Sequence, residues 1–154
     1  LTVKCIIYYA INPTVGTLHT FSNTGASNFC AICVQAFSGA KVVAPFDQQN
    51  GATGTGASTL ATGSITPGEN NEVVVAALGF NGDGGTITIG SSFTKTDQVA
   101  FGSGVNYGGA LAYIVQTTAG AVNPTWTRGV GTGAMAARIA SFKVNPAGGF
   151  FNFM

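Results

Sequence analysis

Charge is what this sequence has least of. Asp, Glu, Lys and Arg make up 7% of its 154 residues, against roughly a quarter of an average soluble domain. A net charge of +1 gives copies of the chain little reason to repel one another, and weakly charged surfaces associate. The six basic residues, Lys4, Lys41, Lys95, Arg128, Arg138 and Lys143, are scattered along the chain, so no nucleic-acid footprint is expected. No basic amphipathic helix points to a membrane surface. Long apolar runs are missing too: none approaches the roughly 18 residues a membrane helix needs, and no membrane insertion is expected. No charged segment followed by an apolar one reads as a secretory leader. Leu1 in place of Met agrees with either processing or truncation.

What the sequence has is glycine, 23 of them, and short apolar bursts between Thr, Ser and Asn. These bursts predict strands over 3–11, 17–23, 29–37, 58–66, 71–80, 86–90, 96–101, 108–118, 123–128 and 134–144, each rich in β-branched or aromatic residues and bounded by turn formers. Turns are marked by Asn12-Pro13, Pro67-Gly68 and Asn123-Pro124. Asn81 to Gly85 reads as a hairpin loop. In 108–118, Leu111, Tyr113 and Val115 share one face and Ala110, Ala112 and Ile114 the other, as in a central strand. Ala134 to Arg138 has helix propensity, but Ile139, Phe142 and Val144 continue it as a strand. Residues 48–57 read as a flexible loop without core residues. With no repeat period, the expectation is an all-β, two-sheet antiparallel sandwich of jelly-roll type over 1–144, followed by a Phe-rich tail over 145–154. Burying Phe150, Phe151 and Phe153 is worth about 1.5–3 kcal/mol each. The tail is therefore expected either to fold back on its own domain or to dock on a neighbouring subunit by strand addition.

Candidate chemistry is sparse. Cys30 and Cys33 form a Cys-x-x-Cys, but redox motifs of that kind open a helix and zinc needs four ligands, for which only Cys5 and His19 remain. In a strand, residues three apart face opposite sides and lie roughly 10 Å apart, too far for a disulfide. The alternatives are separately packed cysteines, or a disulfide from Cys5 to Cys30 or Cys33, which a secreted compartment permits. His19 sits in a strand pattern, with no Gly-x-Ser-x-Gly elbow anywhere. The acids Asp47, Glu69, Glu72, Asp83 and Asp97 are far apart in sequence, and no pair is nominated for glycoside chemistry, although a fold could gather them. The Gly-rich stretches at 51–56 and 102–109 lack a P-loop ending. Asn81 and Asp83 are thin for calcium. No catalytic residue, cofactor site or metal site is expected, and the chain is not read as an enzyme. Tyr8, Tyr9, Tyr107 and Trp126 are aromatic candidates for sugar contact, Tyr107 and Trp126 foremost. Tyr8 and Tyr9 must face opposite sides, so one of them points outward.

Several segments in order, "IYYAINPTVGTLHTFS", "AICVQAFSGA", "PFDQQNGATGTGAST", "ITPGENNEVVVAALGF", "GGALAYIVQTTAGAVNPTWT" and "AARIASFK", resemble a widespread set of uncharacterised bacterial and phage-encoded β-sandwich modules of secreted, surface or virion-associated proteins. The resemblance covers about residues 7–143 and rests on segment order, not on one diagnostic motif. It implies a sandwich and an extracellular, cell-surface or virion-surface setting, and it carries over no catalytic residues. Such modules have further strands before "YYAINP", and the Phe-rich tail is foreign to them. An edge left open by missing strands is an aggregation hazard unless covered. The resulting expectation is a structural subunit of an extracellular filament, surface appendage or virion-associated assembly, a homo-oligomer or polymer joined by strand pairing. The alternative is a carbohydrate-binding or adhesion module with a glycan as partner.

Overall fold

The computed structural model describes residues 2–14, 16–24, 30–99 and 107–146, together with the backbone of 151–153. Ten strands are present and, among the described residues, no helix: β1 (Ala36–Ser38), β2 (Phe46–Ala57), β3 (Thr59–Ala61), β4 (Glu72–Asn81), β5 (Thr88–Ile89), β6 (Thr94–Val99), β7 (Tyr107–Gln116), β8 (Thr125–Thr127), β9 (Gly133–Phe142) and β10 (Phe151–Phe153). They form a five-stranded sheet in the order β2-β9-β4-β7-β6, a three-stranded sheet β3-β8-β5 and the small pair β1-β10, all antiparallel. The all-β, two-sheet expectation holds.

Alternation on β4 builds the core. Val74, Ala76, Leu78 and Phe80 face the three-stranded sheet and bury against Ile87, Trp126, Met135 and Ile139. Full burial of such side chains contributes about 1.5–3 kcal/mol apiece. Val73, Val75 and Ala77 face the other way, in a second cluster with Leu111, Ala140 and Phe142. Both faces of β4 are thus dry, which explains why its sequence reads as a continuous apolar run. β9 settles the ambiguity at 134–144 as strand. It lies between β2 and β4, where Ala136 and Ala137 let sheet neighbours close on both faces, and tertiary pairing overrides helix propensity.

Two expectations are corrected. Residues 48–57 are not a loop: they lie within β2, at twelve residues the longest strand, paired to β9 from Phe46↔Phe142 to Ala57↔Gly133 with two register shifts. It is an edge strand of Gly, Ala and Thr, so it lacks the apolar alternation that marks strands in sequence. Gly51 has a positive reason to be glycine, because a Cβ there would run into the Arg138 side chain lying across it. Residues 81–85 are not a hairpin loop either. The following strand, β5, pairs with β8 and not with β4, so the segment carries the chain from one sheet to the other. A tight turn lies further on, where Ser91 and Ser92 both have φ of 60° and Phe93 N donates to Gly90 O at 3.4 Å, as in a type I′ turn, although the strands on either side join different sheets.

A third layer covers the second face of the five-stranded sheet. Over residues 2–8 and 30–36 burial alternates residue by residue, the period of an extended chain. Cys5, Ile7, Cys33 and Phe37 pack on the sheet. Among the described residues, 2–14 and 30–35 belong to no ladder, although strands were expected over 3–11 and 29–37. Residues 17–23, also expected as a strand, form none. The tail pairs its backbone at β10 with β1 of the same chain, Phe37 opposite Asn152. Phe150 and the side chains of Phe151 and Phe153 lie outside the described residues.

Candidate functional site

Two places concentrate what chemistry the chain has. The first is an acid cluster that sequence spacing gives no sign of. β2 brings Asp47, β4 brings Glu72, and the segment between β3 and β4 brings Glu69. Asp47 Oδ2 accepts from Gly68 N at 2.8 Å and Oδ1 pairs with Lys143 Nζ at 3.1 Å. Glu72 Oε1 accepts from Glu69 N at 2.9 Å, and Glu69 pairs with Lys41 at 2.8 Å. Glu72 has no solvent exposure. Burial pushes its carboxyl above the usual range, the neighbouring Ser141 hydroxyl and Glu69 amide oppose this, and the Asp47 charge adds to it. Burial also raises Asp47, but the Gly68 amide, Lys143 and the neighbouring Glu72 carboxyl outweigh it, and Asp47 is held below its usual value. Two neighbouring carboxyls driven apart in this way follow the pattern of acid–base assignments in enzymes. Here the acid member is sealed. Glu72 Oε2 and Ser141 Oγ are buried without a hydrogen-bond partner, and Asp47 is engaged on both oxygens. The arrangement clasps the 62–71 segment to the ends of β2, β4 and β9.

The second place is the outer layer. Cys30 is exposed and Cys33 half-buried, on opposite sides of one extended segment, and all three cysteines are free thiols. Burial, with Arg138 opposing, raises the Cys5 thiol to about 11. Burial and then the Asp97 charge raise Cys33 to about 12. Neither is a thiolate at neutral pH, so neither can act as a nucleophile. Among the described residues no group of three or more His, Cys, Asp or Glu side chains could hold a metal. Where calcium was weighed, the carbonyls of Asn81 and Asp83 accept instead from Arg128, at 2.8 and 2.7 Å. His19 is exposed, and its Nε2 accepts from the amide of Gly16 at 2.7 Å.

The aromatic candidates part company. Trp126 has 0% exposure and sits in the main core, so its ring has no face to offer a sugar. Strand alternation on β8 turns it inward while Thr125 and Thr127 flank it. Tyr107, at the start of β7, is half-buried. Tyr9 packs on Phe142, ring centroids 5.1 Å apart, and stacks near Phe46, while Tyr8 is 85% exposed. One of the adjacent tyrosines does point outward.

No protein family, curated protein or solved structure matches this chain. The site therefore rests on its own geometry.

Proposed function

We propose that this protein is a structural subunit of an extracellular filament, surface appendage or virion-associated assembly. Its copies join through strand pairing and apolar packing, without turnover. The observation that carries this reading is the outer layer. Residues 2–8 and 30–34 alternate in burial as a strand does, their inward side chains are already packed, and they belong to no ladder among the described residues. Outward they present Ile6 at 59% exposure and Tyr8 at 85%, together with Ile32 and Val34. Within residues 1–40 the only Asp, Glu, Lys or Arg is Lys4, exposed on the same side as Ile6 and Tyr8, so a single cation is all the charge this layer sets against a second copy. A strand laid alongside would satisfy the backbone groups and cover the apolar side chains.

We further read the sandwich as jelly-roll-like. An eight-stranded jelly roll places its first, last, third and sixth strands in one sheet. Taking β2 to β9 as the eight, that sheet is β2-β9-β4-β7, which agrees with the observed order. Its second, seventh, fourth and fifth strands make the other sheet, supported here by β3-β8-β5. The departure is β6, which pairs with β7 and not with β5.

Sizing at micromolar concentration with negative-stain microscopy tests the assembly. Oligomers or filaments are expected, and the double variant Ile6→Lys, Ile32→Lys should disperse them while keeping the wild-type circular dichroism. A stable wild-type monomer at that concentration would overturn the reading. The exposed Tyr8 ring favours a second reading, a carbohydrate-binding or adhesion module, which glycan-array binding lost in Tyr8→Ala would support.

A further inference from the structure

The second face of the five-stranded sheet has a gap in its side chains. Gly79 on β4 and Gly109 on β7 are register partners, so two adjacent positions on this face carry no side chain. Their Cα atoms lie about 4.5–5.5 Å apart across an antiparallel pair. The outer layer sits down on this bare floor. Cys5 Cβ lies 3.8 Å from the Cβ position of Gly79, with Lys4 O at 3.2 Å. Cys33 Sγ lies 3.7 Å from that of Gly109, with Ala31 Cβ at 3.2 Å. Both segments then run the same way. Beyond Cys5 the chain reaches Phe142, the partner of Val73, and beyond Cys33 it reaches Tyr113, the partner of Val75. Two cysteines from two separate segments thus stand side by side over one glycine pair. The glycine pair beneath them is spaced within the range a disulfide spans between Cα atoms, about 4.4–6.8 Å.

We propose that Cys5 and Cys33 are the partners of a disulfide that staples the first extended segment to the second across the glycine floor, leaving Cys30 as a free outward thiol. The reaction takes two electrons from the thiol pair. Cys5–SH and Cys33–SH reduce one molecule of a small disulfide, such as oxidised glutathione, to two thiols, the S–H bonds break, and the sulfurs join. Once the layer has packed, burial keeps both groups as thiols and out of reach of an oxidant, so the bond forms during folding. After it forms, the same burial shields it from reductant. The proposal does not depend on self-assembly, since it concerns bonds within one chain.

The test is oxidative refolding in a glutathione buffer, followed by alkylation of free thiols in denaturant and chymotryptic mapping without reduction. All three cysteines fall between Lys4 and Lys41, so trypsin cannot separate them, whereas cleavage after Tyr9 and Phe29 does. The expected product is the Cys5 peptide linked to the 30–37 peptide, the protein lighter by two hydrogen masses, and a single alkylated cysteine. Cys30→Ser should keep the linkage and Cys33→Ser should abolish it. Native protein should also lose the linkage at least tenfold more slowly to dithiothreitol than the same protein in urea. Wild-type protein with three alkylated cysteines would overturn the proposal, as would a Cys5–Cys30 linkage or chains joined to one another. Because Cys30 and Cys33 share the 30–37 peptide, fragmentation of the linked wild-type peptide, which places the alkyl group on one or the other, decides even where a cysteine variant fails to fold.

Discussion

Replacing Arg128 by Met should destabilise the sandwich more than any other change of one charged residue. Arg128 follows β8, is only 4% exposed, and has no carboxylate paired with its guanidinium among the described residues. Burial lowers its pKa, and the Asp83 charge only partly restores it. Its hydrogen bonds go to the carbonyls of Asn81 and Asp83, at 2.8 and 2.7 Å, with the guanidinium carbon 5.6 Å from the Phe80 ring centroid. It therefore holds the segment that carries the chain from one sheet to the other. Met fills much of the stem's volume but satisfies neither carbonyl. A buried acceptor left without a donor costs about 1–3 kcal/mol; Asn81 is half-buried and Asp83 exposed, so water offsets much of the second loss, and the lost contact over the ring adds about 0.5–2 kcal/mol. Recovery of the desolvation cost of the charge and of Nε, which is buried without a partner, offsets part of this. A net loss of about 2–4 kcal/mol follows, or a fall in Tm of about 4–16 °C for a chain of this size. Urea unfolding followed by Trp126 fluorescence measures it, and Arg128→Lys should fall between the two because one ammonium can reach one carbonyl well. A loss below about 0.5 kcal/mol in Arg128→Met would refute the claim that this side chain holds the crossing.

Other expected outcomes need less argument. Trp126→Ala should cost about 3–5 kcal/mol as a cavity in the main core. Trp126→Phe should cost clearly less, because the indole N–H has no hydrogen-bond partner to lose, and urea midpoints compare the two. Ser92→Gly should raise stability by about 0.5–1 kcal/mol by relieving one of two consecutive serines held at positive φ, with calorimetry as the check. Gly51→Leu should weaken the edge pairing of β2 to β9 by displacing the Arg138 side chain, read as faster hydrogen exchange in 49–54 than in β4.

The parts of this fold that sequence reveals are those whose own residues carry the pattern. β4 and β7 announce themselves because Val73 to Phe80 and Ala110 to Val115 are apolar on both faces, as only a strand covered on both sides can be. β9 was legible through Ile139 and Phe142 despite its alanines. β2 was not, because an edge strand of Gly, Ala and Thr is held by its backbone bonds to β9, and backbone pairing leaves no mark on side-chain composition. The 81–85 crossing was misread for a related reason: Asn-Gly-Asp-Gly-Gly encodes a turn, but the strand that the following residues join depends on β8, some forty residues later. The parity argument for Cys30 and Cys33 needed only local geometry and agrees with the structure. The Cys5–Cys33 neighbourhood needed Gly79 and Gly109 to be register partners, which no local signal contains.

The acid cluster shows how such long-range placement sets a pH response. Between the usual Glu value of about 4.5 and the raised value of Glu72, the folded chain keeps a proton that the unfolded chain has released. The folded state then binds more protons, so the stability associated with Glu72 falls as pH rises through that window. Asp47 acts in the opposite sense. Its folded value lies below the usual 3.8, so its contribution is present above that value and is lost as pH falls. Stability should therefore decline on both sides of a mildly acidic optimum. Glu72→Gln separates the two arms. Its amide oxygen can still accept from Glu69 N and its NH2 can donate to Asp47, so the clasp persists with no proton to lose. Chemical denaturation from about pH 2 to pH 8 should show the variant losing the decline on the alkaline side while keeping the acid-side loss below the usual Asp value of 3.8, since Asp47 is untouched. A variant as steep as wild type above pH 5 would mean that Glu72 is already ionised in the folded chain. The buried Glu72 carboxylate would then be held by the charge of Lys143, and not by its own proton.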